Sequence, residues 1–594
     1  MYAQKLSFDY AHTLHTVRIV HNAHSVHRSR VQKGQSCDCI NFVRATDPAA
    51  GSGNFLTETY ISLRRLENDA LYEETHGQMM LGDNDVIQVS IGQFYGIEIN
   101  DFAVTVAKTA LWIAESQMMQ ETEQLMQINL DFLPLKSYAN IVEGNALRID
   151  WESVVDKSKL SYIMGNPPFV GYSLQSKSQK DDMLSIYVDE KGKPYKTAGK
   201  IDYVSAWYFK AAQLMQGTTV RTAFVSTNSI TQGEQVAGVW KPLYDRFGVH
   251  IDFAHRTFRW DSEASLKAHV HCVIVGFSIA ENKADRRLFD NGNGKVVRNI
   301  NPFLVEAPDI FVESRNKPLC NVPEMLKGSS PVDGGNLLLS NDEYIELVRI
   351  EPDARKCLKR FLGAREFLHD ILRWCLWFDD VSPREINRLP NVKKRIEAVK
   401  QFRLSSSKAT TRKFADYPTR FMELRQPKSN YILIPRHTSE NRRYIPFGFM
   451  TPNVICGDAN NMLPNATLYH FGILTSNVHM AWMRAVAGRL EMRYRYSMDI
   501  VYNNFPWCNP TPEQKARIEQ TAQMILDARA KYPDCSLADL YDETVMPPEL
   551  RKAHQLNDRA VMEAYGFWGK LNTESECVAE LMKMYQRLTE GEKK

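Results

Sequence analysis

The sequence of 594 residues is too long for a single hydrophobic core, and ordinary domain sizes divide it into roughly two to four units. Hydrophobic residues make up 44% and charged residues 24%, with a formal net charge of +3, so the chain is no basic coat protein and any nucleic-acid surface must be a local patch. The ten cysteines contain no CxxC and only one close pair, Cys37 and Cys39, and no apolar run approaches the roughly 18 residues that span a bilayer, so a reduced, soluble, cytoplasmic protein without a zinc site or membrane contact is expected.

In chain order, residues 1–40 hold five of the fifteen histidines, His12, His15, His21, His24 and His27, without clean periodicity. His21 and His24 could share a helix face and a metal, but a solvated leader is the plainer reading, and no metal is expected. From residue 41 strands and helices alternate. Residues 41–46 (NFVRAT) read as a buried strand, followed by a helix with Leu56, Tyr60, Leu63 and Leu66 on one stripe. Residues 94–99 (FYGIEI) form a second strand, and Asn100 or Asp101 caps a helix running to about Met118. Residues 162–164, 222–226, 249–253 and 270–277 are further strands, with a helix over 203–215. This alternation predicts an α/β fold with a mostly parallel sheet covered on both faces. The last two strands leave no room for an intervening helix, which predicts an antiparallel pair closing one edge. The alternation ends near residue 305. A mixed region rich in Arg, Tyr and Pro spans 306–510, and 511–594 reads as helical.

Four features inside 41–305 carry chemistry. Residues 47–55 read DPAAGSGNF between a strand and a helix. Gly51 and Gly53 permit backbone conformations closed to other residues and a close approach to a ligand. The turn has neither the dinucleotide spacing nor the phosphate-loop lysine. Led by Asp47, it suits a ligand with an ammonium group, such as a methionine moiety; taken without its context, it is equally a tight turn with no ligand. Glu98 ends its strand where a carboxylate can accept hydrogen bonds from ribose hydroxyls, or merely favour the start of the next helix. Its distance from the glycines is attributed to an insertion over 68–93. Asn145, in EGNALRID, follows a third strand and offers an amide to a ring. Residues 166–169 read NPPF. Two prolines stiffen the turn and leave carbonyl acceptors, Asn166 adds another, and Phe169 can stack on a base. Acceptors facing an exocyclic amino group orient its lone pair, a chemistry of positioning rather than strong base.

DPAAGSGNF followed by GNPPF resembles the amino-group DNA methyltransferases of the adenine-specific branch, in the order cofactor turn, catalytic turn, recognition region that marks the gamma type. The strings FVSTNSITQGEQV (224–236), AHVHCVIVGF (268–277), YRYSMDIVYNNFPW (494–507) and LADLYDETVMPPELRKAHQLNDRAVMEAYGF (537–567) resemble the MmeI-like restriction–modification enzymes in particular. The resemblance implies a Rossmann-like S-adenosylmethionine-dependent methyltransferase sheet, an α+β target-recognition domain and a helical C-terminal region. It implies that Asp47, Pro48, Ala49, Gly51, Gly53, Asn54, Phe55, Glu98 and Asn145 line the S-adenosylmethionine pocket. It implies that Asn166, Pro167, Pro168 and Phe169 hold an adenine flipped from double-stranded DNA, for methylation of its 6-amino group. Two parts of the family pattern are not found ahead of Asp47: a nuclease domain with an acidic–Lys metal site, and a Tyr-Thr segment that walls the cofactor. A modification-and-recognition half is therefore expected, compatible with a separate nuclease partner; the oligomeric state is open.

In the recognition region, residues 391–413 carry eight Lys or Arg against one acid, Glu397. Lys393, Lys394 and Arg395 are expected on phosphates. Arg436, Arg442, Arg443, Arg493 and Arg495, interleaved with tyrosines, are the candidates for base or phosphate contact, against the plainer reading of a solvated basic face. Two rival functions stay open: a non-catalytic DNA-binding remnant, and methylation of RNA bases or protein amides.

Overall fold

The computed structural model describes residues 43–75, 87–127, 139–261, 269–281, 284–379 and 381–592; the histidine-rich leader, with its conceivable metal pair, lies outside the described residues. One compact unit runs to Leu304 and the other from Val305, with Gln232–Glu234 grouping with the second. Among the described residues, no helix is long and apolar enough to cross a membrane, and no His, Cys, Asp or Glu cluster is arranged to hold a metal.

The first unit is built on a nine-stranded sheet: β1 (Ala45–Asp47), β2 (Phe94–Glu98), β3 (Asn140–Glu143), β4 (Tyr162–Gly165), β5 (Arg221–Thr227), β6 (His250–Asp261), β7 (His269–Ser278), β8 (Arg286–Asp290) and β9 (Asn293–Val297), in the order β3-β2-β1-β4-β5-β7-β6-β8-β9. The strands from β3 to β5 pair in parallel, with Asp47 opposite Gly96 and Ile163 opposite Thr46. Helix α1 (Asn54–Thr75) buries Leu56, Tyr60, Leu63 and Leu66, the expected stripe, in one core with Phe94, Val104, Ala107 and Leu111. Helix α2 (Asp101–Met126) is capped by Asn100, whose side chain accepts from the Ala103 amide at 3.0 Å. It passes the expected end near Met118 because the apolar stripe continues through Met126. Buried Arg64 joins the two helices by pairing with Glu67 and donating to Thr122 Oγ1 at 2.8 Å, which satisfies a charge that would otherwise be costly. The expected insertion over 68–93 is shorter: α1 continues through Asn68 to Thr75, a short helical turn at Ile91–Gln93 leads into β2, and 76–86 lie outside the described residues.

The sheet edge corrects the sequence reading. The antiparallel pair is present, but β7 inserts between β5 and β6, and the sheet continues through β8, parallel to β6, and β9. The β8–β9 hairpin turns at Asn291 (φ 47°) and Gly292 (φ 82°), the left-handed pair of a type I′ turn. β6 outruns its expected end at residue 253 because two register shifts, at Ile251/Phe253 and His255/Phe258, break the alternation that marks a strand in sequence.

The second unit holds two four-stranded sheets and a three-stranded one made of His437–Thr438, Arg493–Arg495 and Gly488–Leu490. Its chain ends in long helices, Pro512–Ala530, Pro548–Tyr565 and Glu574–Glu592. The first two meet at Gly472, where a Cβ would lie 2.7 Å from Ile518; Asn557 donates to the Gly472 carbonyl at 2.8 Å and accepts from Thr521 at 3.1 Å.

Candidate active site

The glycine turn leaves the carboxyl end of β1. The Ala50 amide donates to the Ile97 carbonyl at 3.1 Å and the Gly53 amide to the Ala50 carbonyl at 2.8 Å, which anchors the turn to β2. Gly53 has φ 81°, and a Cβ there would stand 2.9 Å from Ala107 Cβ, so close packing on α2 demands glycine. Gly51 has φ 54°, but a Cβ would meet nothing within 4 Å: its backbone borders open space, as a ligand-facing residue requires.

Asp47 lies fully buried beneath this turn. Its Oδ1 accepts from the Ala49 amide at 2.9 Å, while buried Oδ2 has no partner. Burial, opposed by the Ala49 hydrogen bond and reinforced by nearby Glu98, pushes the carboxyl pKa up to about 7. A lone pair orphaned in this way calls for a cationic donor. Gly165, the last residue of β4, packs on the same carboxylate: a Cβ there would sit 2.2 Å from Oδ1. The residue preceding NPPF therefore touches the acid that begins DPAAGSGNF.

The Glu98 carboxylate is held by two backbone amides, Gly51 at 2.9 Å on Oε2 and Asn100 at 3.0 Å on Oε1. Its first task is to shape the glycine turn, and each oxygen keeps a further lone pair for ligand hydroxyls. Asn145 is more committed than the sequence suggested. Its Oδ1 accepts from the Leu147 amide at 2.9 Å and its Nδ2 donates to Asp182 Oδ2 at 3.4 Å. Two residues passed over in the sequence stand beside Glu98: Ile99 is 68% exposed and Phe102 75% exposed, an apolar platform suited to a flat ring. Ile99 follows the last residue of β2 and Phe102 lies in the first turn of α2, and nothing in their letters sets them apart from core residues.

At the NPPF turn Asn166 and Pro168 are exposed, Pro167 is buried and Phe169 half-buried. Phe169 packs with Phe55 against a cluster of Val225, Cys272 and Ile274, so one residue assigned to each motif shares a single apolar wall. Pro48 is buried beside the turn, whereas Asn54, at the start of α1, is exposed and accepts from Ser52.

In the second unit the basic run divides. Lys393 and Lys394 lie on the helix Pro390–Leu404 and are exposed. Arg395 instead pairs with Glu343 at 2.6 Å and donates to the Asn336 and Leu338 carbonyls, which revises its expected role as a free phosphate ligand. Arg403, from the same run, is fully buried and donates to the carbonyls of Pro331, Val332, Phe414, Tyr417 and Arg420. On the three-stranded sheet Arg495 pairs in register with His437; burial, together with Arg436, Arg495 and Arg493, holds the His437 pKa below the usual imidazole range. Arg493 carries a counterion, Glu491, at 2.8 Å; Arg436 donates to the Asp458 carbonyl at 3.0 Å. Arg442 and Arg443 line a cavity of about 690 Å³ with Trp568 and Asn477.

Family models described as the MmeI DNA-methyltransferase domain, the MmeI target recognition domain and the MmeI C-terminal domain match residues 27–290, 306–509 and 510–591. DNA methyltransferase A of Bacillus subtilis (strain 168) is 39% identical over 556 residues, covering 93% of this chain; the chain spans 62% of that relative's length. The solved structure of the type IIL restriction-modification enzyme MmeI in complex with DNA is 43% identical with a TM-score of 0.83, covering 93% of this chain and 74% of that one. With its three domain models matched in series and its fold shared at that identity, the chain belongs to the MmeI family of restriction–modification proteins.

Proposed function

We propose that the chain is a site-specific DNA methyltransferase that transfers a methyl group from S-adenosylmethionine to the 6-amino group of an adenine flipped out of duplex DNA. The observation that carries this reading is the join between its two motifs: the buried, half-satisfied Asp47 carboxylate under the glycine turn, with Gly165 of the NPPF strand seated on it.

The residues fit the cofactor. Asp47 Oδ2 receives an ammonium group, the Gly51–Gly53 backbone allows close approach, Glu98 offers its remaining lone pairs to ribose hydroxyls, and Ile99 and Phe102 flank a ring. When bound, S-adenosylmethionine supplies an electrophilic methyl on a sulfonium. The Asn166 side-chain oxygen and a carbonyl of the proline turn accept the two amino hydrogens and so direct the nitrogen lone pair outward. Phe169 stacks on the base and excludes water from that face. No strong base is needed, because the amino proton becomes acidic only once the nitrogen is alkylated, and it passes to solvent. Duplex DNA is held by the exposed lysines of Pro390–Leu404 and the arginines around His437, an attraction supported by their clustering. Such an enzyme acts in the compartment that holds the DNA, the cytoplasm.

The test is incubation with methyl-labelled S-adenosylmethionine and mixed-sequence duplex DNA, followed by nucleoside analysis. Label in N6-methyladenine is expected; label in a methylcytosine, in protein, or nowhere contradicts the proposal.

A further inference from the structure

Segment 202–207 touches all three loops of the active site. Its first residue, Asp202, is buried: its Oδ1 accepts from the Tyr172 amide at 3.0 Å, in the loop that follows NPPF, and its other oxygen accepts from Ser229. The Tyr203 amide donates to the Val170 carbonyl at 2.9 Å, a second clasp on that loop. The Tyr203 hydroxyl donates to Asp182 Oδ2 at 3.1 Å. Asp182, in the helix Lys177–Ile186, is also buried, and its carboxylate receives Asn145 Nδ2 at 3.4 Å and Arg148 Nε at 2.8 Å, both from the loop after β3. One turn on, the Trp207 indole N–H donates to the Pro48 carbonyl at 2.9 Å, in the glycine turn. The Tyr203 and Trp207 rings meet edge to face, centroids 5.3 Å apart.

This arrangement exceeds what holding a helix in place requires. Most of helix Ser205–Leu214 is already buried, including Ala206, Phe209, Ala211 and Ala212, so the polar contacts add direction rather than adhesion. The polar groups of the segment reach the glycine turn, the loop after β4 and, through Asp182, the loop after β3. A shift in the glycine turn or the β3 loop is therefore passed through two packed rings to the loop bearing the catalytic turn. That loop also displays the apolar side chains of Tyr172, 45% exposed, and Leu174, 80% exposed, next to where a flipped base would enter.

We propose that Tyr203, Trp207 and Asp182 are positioning residues that couple cofactor occupancy to the order of the loop presenting NPPF, so that the target-base site assembles when the cofactor is in place. The proposal rests on the S-adenosylmethionine reading above. Coupling of this kind is reciprocal: whatever the cofactor gives the loop, an ordered loop returns to the cofactor.

The test is amide hydrogen exchange over residues 166–176 of the whole chain, with and without S-adenosylhomocysteine, whose binding is measured separately by calorimetry. In the unaltered protein the ligand is expected to slow exchange at this loop. In Tyr203→Phe, which loses only the hydroxyl, and in Trp207→Phe, which loses the indole N–H and part of the ring, the slowing shrinks by roughly 2- to 30-fold and S-adenosylhomocysteine affinity falls by the same factor, a match that reciprocal coupling requires and general loosening of the fold does not produce. At saturating cofactor the same variants also lower kcat, because the loop presenting NPPF is less often ordered when the cofactor is bound. Asp182→Asn, which keeps the shape of the side chain, gives the same result if either aromatic variant fails to fold. Undiminished slowing in the variants overturns the coupling while leaving the cofactor reading intact, since direct contact by the ligand would then suffice. No calorimetric binding to the unaltered protein overturns both.

Discussion

Asp47 gives the account a pH signature. Its buried carboxyl has a pKa near 7 against an ordinary value of 3.8, because burial penalises the charge more than the Ala49 amide favours it. A shift of about three units corresponds to about 4 kcal/mol, an upper figure for one fully buried group. The sign follows from the direction. The folded chain holds the proton more tightly than the unfolded chain does, so the ligand-free protein loses stability as pH rises from about 4 to about 7 and loses no more from this group above that. An ammonium ligand reverses the preference. Below pH 7 binding must expel the proton, so affinity for S-adenosylhomocysteine should climb by up to about tenfold per pH unit toward 7, with close to one proton released. At more alkaline pH, once the ligand's own α-ammonium group loses its proton, affinity should turn down. Calorimetry from about pH 5.5 to about 10, in buffers of differing ionisation enthalpy, measures affinity and proton release together. Asp47→Asn should bind more weakly and lose the acid limb while keeping the alkaline one. A flat profile below pH 7 in the unaltered protein, or an acid limb that survives in Asp47→Asn, would refute the assignment of Asp47 as the ammonium acceptor.

Gly165→Ala forces a methyl to within 2.2 Å of Asp47 Oδ1; the expected cost is about 2–5 kcal/mol from overpacking and a disrupted carboxylate hydrogen bond, with S-adenosylhomocysteine affinity falling alongside the unfolding midpoint. Gly51→Ala, with open space at its Cβ, should cost only about 1–2 kcal/mol from its left-handed backbone yet still weaken binding, which separates ligand space from packing in the same pair of assays. Arg403→Met removes the guanidinium donor from five carbonyls, of which those of Pro331, Phe414 and Tyr417 keep a backbone amide and those of Val332 and Arg420 lose their donor; it should destabilise by about 2–5 kcal/mol in urea denaturation, whatever the protein binds. Replacing Lys393 and Lys394 with alanine should flatten the slope of log affinity against log salt on random duplex DNA by roughly 0.9 for each phosphate no longer neutralised, whereas Arg395→Ala should act mainly on stability through Glu343; an unchanged slope would make the two lysines a solvated face.

What could be read from the sequence was local. DPAAGSGNF and NPPF are runs of adjacent residues whose backbone demands are written in glycines and prolines, and the stripe from Leu56 to Leu66 repeats at helical spacing, so turns and helix fell where expected. What escaped depended on partners distant in sequence. The charges of 391–413 look alike as letters, yet Arg403 is sealed among carbonyls and Arg395 is tied to Glu343, because burial and pairing are settled by segments far along the chain. Glu98 looked like a ligand acid, and only the fold brings the Gly51 amide to it. The β8–β9 hairpin is a different case: its Asn291-Gly292 turn was legible and was passed over once the sheet had been taken as closed at β7. The long β6 was hidden by its bulges, which spoil a period of two without ending the strand.

The central claim is that Asn166 and its proline turn hold the acceptor amine while Asp47 and the glycine turn hold the methyl donor. Asn166→Ala tests this division directly, because the side chain is exposed and its removal should leave the fold intact. Methyl transfer to DNA is read by mass spectrometry of N6-methyladenine, and S-adenosylhomocysteine affinity by calorimetry on the same sample. The account predicts methylation reduced by at least about a hundredfold, as when an oriented transition-state interaction is removed, with S-adenosylhomocysteine affinity unchanged within about twofold. Wild-type turnover in Asn166→Ala, or a parallel loss of cofactor binding, would contradict it.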